Sequence, residues 1–350
     1  MKSKTIMLLS LLLLACVLSS CTAPVCARLM TGGEGGTYYS IGNALSELLG
    51  SNEDAKGDPD KSKFTATFEV VASSGYRENL TSLAEGTAQM AIVRGDLAYY
   101  ALNGLHMFND SKLSGFSLVC ELYNEAVHIM AKLNTGGVTG LEGKKIAVGK
   151  KGSDTAIIAD IILTESGVTA YDPVYISAEA AIEPFKEGEI DAIIFPSGIT
   201  SNYVTELASR HTFELVDIEP EVIESICKKY PFLSPLTVPK RTYSVLKSAL
   251  HTVAVRVCLL ARDDMDEDLI YKIVDRFAND AKLLNHKKYT ELSVDGMWTY
   301  TCLPIHEGAS KYFEEYKKEK AEKEANKVTK KPETTASPET NEVPEEEAGE

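Results

Sequence analysis

The sequence predicts an α/β protein of two lobes joined by long hinge strands. Short apolar runs alternate with segments of helical periodicity from residue 27 onward. Loops rich in small and polar residues follow those runs, at 31–38, 72–76, 94–96, 149–155 and 196–198. Two longer runs, 121–133 and 250–261, are long enough to cross from one compact unit into another. Strand-loop-helix units build parallel sheets covered by helices. Such sheets hold ligands beyond the carboxyl ends of their strands. Two of them joined by long strands form a trap that closes on a hinge.

The elements follow in order. Lys2 and Lys4, an apolar run over 6–18 and Leu18-Ser19-Ser20-Cys21 make the layout of a bacterial lipoprotein signal. The run is too short to span a bilayer. Processing at Cys21 leaves 330 of the 350 residues, lipid-anchored on the periplasmic side of a membrane of the cell envelope. Leu13-Leu14-Ala15-Cys16 is a rival processing site. The glycine loop Thr31-Gly32-Gly33-Glu34-Gly35-Gly36 opens a helix on which Ile41, Leu45 and Leu48 recur at helical spacing. A strand is expected over 65–71. A helix marked by Tyr76, Leu80 and Leu83 ends at Gly86, and a strand follows over 90–93. The polar stretch 134–145 leads into a second set. This comprises a strand at 146–148, a helix lined by Ile157, Ile158, Ile161 and Ile162 with Gly167 as its stop, and a strand at 174–176. Ser177 is the next N-cap, and the strand at 192–195 is broken by Pro196-Ser197-Gly198. Lobe 1 is thus expected over 27–126 and 250–316, and lobe 2 over 127–249. Residues 317–350, rich in Lys then Glu with Thr, Ser and Pro, are expected to form a disordered charged tail.

Composition removes several classes of function. A formal net charge of −15 argues against nucleic acid. It leaves room for an anion in a locally positive pocket. The glycine loop fails both nucleotide patterns, because Tyr38 stands where a dinucleotide fingerprint needs glycine and no Gly-Lys-Ser/Thr ends it. No cofactor is expected. Beyond Cys21 stand Cys26, Cys120, Cys227, Cys258 and Cys302, with no Cys-x-x-Cys pair and no zinc spacing. Cys120 and Cys258 lie in apolar runs and read as packing residues. There is no Gly-x-Ser-x-Gly elbow. The chain reads as a binding protein rather than an enzyme.

The ligand-binding candidates lie on the loops after predicted strands. Gly35, Gly36, Thr37 and Tyr38 offer backbone N–H groups, a helix N-terminus and a ring. Ser73, Ser74 and Asn79 offer hydroxyls and an amide, with helix capping as the alternative role. Arg94 offers a fork to a carboxylate, with an ion pair to Asp96 or Glu78 as its alternative. Asp96, Gly152, Ser153, Asp154, Thr155, Pro196, Ser197 and Gly198 complete the set. Together they suit a small anionic solute.

In order and spacing these segments resemble the TAXI group of extracytoplasmic solute receptors, which serve TRAP-type secondary transporters. The resemblance runs over about 28–316. It rests on the glycine loop with Tyr38-Tyr39, on Ala72-Ser73-Ser74-Gly75-Tyr76-Arg77-Glu78-Asn79-Leu80 and on Ala91-Ile92-Val93-Arg94-Gly95-Asp96. It rests further on Glu125-Ala126-Val127-His128-Ile129, Lys229-Tyr230-Pro231-Phe232 and Leu303-Pro304-Ile305-His306-Glu307-Gly308-Ala309. It implies a periplasmic-binding-protein-like (type II) fold. It also implies a ligand such as glutamate or a related dicarboxylate, and ion-driven membrane permease subunits as partners. A ligand-sensing lipoprotein reporting to a membrane kinase is the alternative. The chain departs from the group at Arg94, where glutamine is usual, and at Ser73 and Ser74, where glycines are. The lobe 2 loop Gly152-Ser153-Asp154-Thr155-Ala156 and the charged tail differ as well.

Overall fold

Two long strands organise the molecule, β4 (Phe116–Ala131) and β10 (Leu250–Arg262), which pair antiparallel with Ala126 opposite Ala254. Their sequences allow this length, since both are apolar almost throughout and both are buried along nearly every residue. The computed structural model describes residues 26–51, 67–299 and 302–329. The expected signal segment, Cys21 and residues 330–350 lie outside the described residues.

On one side of the pair, β10 meets β3 (Met90–Arg94), followed by β1 (Cys26–Met30) and β2 (Thr67–Val71), the last three mutually parallel. On the other side, β4 meets β7 (Ala192–Gly198), followed by the parallel strands β5 (Lys145–Ala147) and β6 (Asp172–Val174). Short strands β8 (Glu214–Leu215) and β9 (Ser234–Val238) pair with β4 and β10. The two expected sheets are therefore one hydrogen-bonded network of ten strands, because β4 and β10 pair continuously through both halves.

Helices cover the sheet. The helix α1 (Thr37–Gly50) buries Ile41, Leu45 and Leu48 against β1, β2 and the helix α8 (Glu267–Asp280). Burying each such side chain stabilises by about 1.5–3 kcal/mol. Gly42 lets α1 sit close, since a Cβ there would stand 2.6 Å from the Thr31 methyl. The helices α2 (Tyr76–Glu85) and α3 (Gly95–Asn103) each end on a left-handed glycine, Gly86 and Gly104. In the other half α4 (Asp154–Glu165) and α5 (Ala178–Lys186) start at the expected caps Ser153 and Ser177, whose side chains accept from Ala156 and Ala180. The helices α6 (Asn202–Ala208) and α7 (Pro220–Lys229) complete that half, and α9 (Glu307–Thr329) packs on α8.

Three further expectations are corrected. Pro196-Ser197-Gly198 does not break β7 but continues it, with Pro196 opposite Val127. β5 has ended its pairing by Ile193, so the N–H that Pro196 lacks is not needed there. β6 lies at 172–174 rather than 174–176, and as the outermost strand it tolerates Pro173. The expected disorder from 317 gives way to helix as far as Thr329. Lys320 bonds Asp295 at 2.7 Å, Lys323 pairs with Glu319 at 3.1 Å, and Lys317 lies over Trp298 at 3.9 Å.

Candidate functional site

The carboxyl ends of β1, β2, β3 and β7 and the loop after β5 meet where β4 and β10 cross between halves. Arg94, the last residue of β3, marks the place. It is 6% exposed and surrounded by acids. Its Nε and Nη2 donate to the two oxygens of Asp96 at 3.0 and 2.5 Å. Its Nη1 lies 2.7 Å from Asp154 of α4 and 4.0 Å from Glu125 of β4. One guanidinium thus joins the two halves of the sheet. Asp96 and Asp154 take three of its five N–H groups. Burial opposes the charge on Arg94, but Asp96, Asp154 and Glu125 outweigh it and hold its proton affinity well above the ordinary value. Burial holds the Glu125 carboxyl above the ordinary carboxylate value, with Asp96 and Asp154 adding to the rise, against Arg94 and the Tyr38 hydroxyl, which donates to it at 3.2 Å.

Beside this cluster lies a cavity of about 290 Å³. Thr37, Tyr123 and Glu125 line it from one half, and the segment from Ser197 to Tyr203 lines it from the other. Lys288 closes it. This lysine is 5% exposed, bonds Glu291 and lies over the Tyr123 ring at 4.7 Å. It also passes Gly198 so closely that a Cβ there would be 3.4 Å from its Nζ. Two hydroxyls on the lining, those of Tyr123 and Ser201, are buried and have no hydrogen-bond partner among the described residues. A buried hydroxyl without a partner costs about 1–3 kcal/mol, so an occupant that reached these two oxygens would recover part of that cost. Thr200, on the same wall, holds φ at +65°, a strained value for a β-branched residue.

The wall is fixed from behind. Ser201 donates its backbone N–H to the Tyr243 hydroxyl at 2.9 Å, and that hydroxyl meets His128 Nε2 at 2.8 Å. Burial lowers His128 to about 4, so the ring is neutral at physiological pH.

The expected residues divide into groups. Thr37, Ser197 and Gly198 line the cavity, while Tyr38, Arg94, Asp96 and Asp154 form the charged cluster next to it. Gly35 and Gly36 are exposed, and Gly36 caps α1 with no side chain above it. Ser73 and Asn79 brace the loops, both donating to the Thr31 carbonyl, at 2.9 and 2.6 Å. Ser74 bonds Glu78, and Ser153 caps α4. Gly152, Thr155 and Pro196 are not on this lining. Tyr123, Glu125, Ser201 and Lys288 were missed as site residues. Of these only Glu125 carried a signal, as a carboxylate inside an apolar strand. Among the described residues no His, Cys, Asp or Glu group is placed to hold a metal, and no helix is long and apolar enough to cross a membrane.

A model of the NMT1-like family matches residues 29–316. The chain belongs to the NMT1-like family. This NMT1-like protein is also similar in structure to a TctC solute binding protein from Polaromonas, with a TM-score of 0.51 and 13% identity over 86% of this chain and 100% of that one. At such identity the likeness is one of fold, an α/β fold shared with that solute binding protein. The periplasmic aliphatic sulphonate binding protein SsuA from Escherichia coli matches at a TM-score of 0.47 and 14% identity, over 88% and 95% of the two chains.

Proposed function

We propose that this NMT1-like protein is a solute-binding receptor, not an enzyme, that holds a small organic acid between the two halves of its sheet. The observation that carries the reading is the cavity walled from both halves, with the unpartnered hydroxyls of Tyr123 and Ser201 beside Lys288 and Glu125. The two hydroxyls and Lys288 suit a solute carboxylate. Three acids face Arg94 in the adjoining cluster. The free charge there is therefore negative, and Glu125 suits an ammonium. An amino acid of the size of glutamate satisfies both walls, and a dicarboxylate satisfies only one.

On this reading lobe 1 comprises 27–126 and 250–316 and lobe 2 comprises 127–249. Closure about β4 and β10 presents both lobes to a membrane partner. The resemblance to the TAXI group supports a TRAP-type permease as that partner and an ion gradient as the source of energy. The layout around Cys21 supports lipid anchoring at the periplasmic side of the membrane. Calorimetric titration tests the solute class with glutamate, the matching 2-oxo acid and succinate. Glutamate is expected to bind most tightly. Binding of an uncharged sugar, with no carboxylate bound, overturns the reading.

A further inference from the structure

A second and larger cavity, of about 560 Å³, adjoins the residues flanking Asp154 and the helical turn after Asp96. It shares no lining residue with the cavity described above. Its character also differs, because five tyrosines and Phe232 supply much of its wall. The wall comes from both halves. Tyr99 and Tyr100 stand on α3, and their rings lie 5.5 and 5.1 Å from that of Phe232, which follows α7. The volume falls within the ~300–1,000 Å³ of small-molecule sites.

Three observations mark it as more than a gap in the packing. Tyr100 is fully buried, and its hydroxyl has no partner among the described residues. His106, whose ring lies 4.6 Å from that of Tyr100, holds φ at +51°, a strained conformation of the kind that clusters at binding sites. At the rim Lys151 has no carboxylate partner among the described residues, and its Nζ lies 5.9 Å over the ring of Tyr175, itself 46% exposed, while the carboxylate on the lining, Asp160, accepts from the Tyr171 hydroxyl at 3.5 Å. The other rim lysine, Lys229, is already held by Glu165.

We propose that this aromatic cavity is a second binding site, for a planar aromatic acid whose ring lies among the tyrosines and whose carboxylate meets Lys151. Offset ring contacts supply the fit for a flat group, and the Lys151 ammonium selects an anion over a cation. Because both halves line it, an occupant bridges them independently of the cleft solute.

Calorimetry and saturation-transfer NMR on the full chain test this with phenylacetate and indole-3-acetate. Acetate, which lacks the ring, and benzyl alcohol, which lacks the charge, serve as controls. Both aryl acids are expected to bind and neither control. Lys151→Met and Tyr175→Ala, two exposed changes that leave the fold intact, should each weaken the aryl acids about tenfold or more. Lys288→Met should leave them unchanged. Absence of aryl acid binding up to about 10 mM overturns the proposal. So does binding that is lost in Lys288→Met yet untouched by Lys151→Met.

Discussion

Replacing Arg94 by alanine tests the charged cluster directly. The guanidinium is the nearest cation to Asp96, which is fully buried, and it also faces Asp154 and Glu125. Removing one partner of a buried pair leaves an uncompensated charge and destabilises by about 3–5 kcal/mol. At about 2 °C per kcal/mol, melting should fall by roughly 6–10 °C near pH 7. Glu125 then gives the loss a pH signature. Burial raises its carboxyl, and Arg94 is the main force holding it down. The folded wild type already binds that proton more tightly than the unfolded chain does, and without Arg94 it binds it more tightly still. Stability therefore falls as pH rises between the ordinary carboxyl value and the raised one. The deficit relative to wild type should shrink as pH is lowered from about 8 to about 5. Arg94→Lys should recover part of the loss, because it keeps the charge and loses the fork. Differential scanning calorimetry across that pH range reads both effects. An unchanged melting temperature, or a deficit that grows toward acid, would refute the reasoning.

Three further outcomes are expected. Tyr123→Phe and Ser201→Ala should leave the free protein at least as stable by thermal melting, since each removes an unpartnered hydroxyl, yet weaken glutamate binding by roughly tenfold to a hundredfold in calorimetry. Thr200→Gly should raise stability by about 1 kcal/mol by relieving its positive φ, and a lower melting temperature would show that the Thr200 side chain outweighs the strain. Cys21→Ala should abolish radiolabelled lipid incorporation and release the protein from membranes, whereas labelling that persists and vanishes with Cys16→Ala would move the processing site.

What the sequence reveals here follows from how local each cause is. Alternating apolar runs and caps such as Ser153 and Ser177 act within a few residues, and the elements they predict are present. Arg94 was recognisable for the same reason, as a charge at the mouth of an apolar strand. Its alternative role, an ion pair with Asp96, depends on residues two positions apart, and the structure contains it. Asp154 and Lys288 reach the site from 60 and 194 residues beyond Arg94, and no local pattern links them to it. Pro196 misled because proline usually ends a strand, and only the pairing partners decide whether its missing N–H matters. The helix beyond 316 misled because Lys and Glu suit a solvated tail and a helix equally well. Contacts to Trp298 and Asp295 decide between them.

On the proposed reading, Glu125 ties binding to closure. Its position on β4 is opposite Val255 of β10 and opposite Gly198 of β7, so it stands where the strand passes from one half to the other. Its carboxyl touches Tyr38 and faces Arg94 from the first half, and the cavity it lines is walled by the second. An ammonium placed against Glu125 relieves the surplus of negative charge that Asp154 adds when it meets Arg94. The free energy of that relief is available only when the two halves are together. A solute bearing both charges therefore favours the closed state over the open one, which is the differential affinity that a closing receptor needs. A simple dicarboxylate lacks that term and adds a further negative charge beside Glu125. On these grounds it should bind weakly and close the protein least.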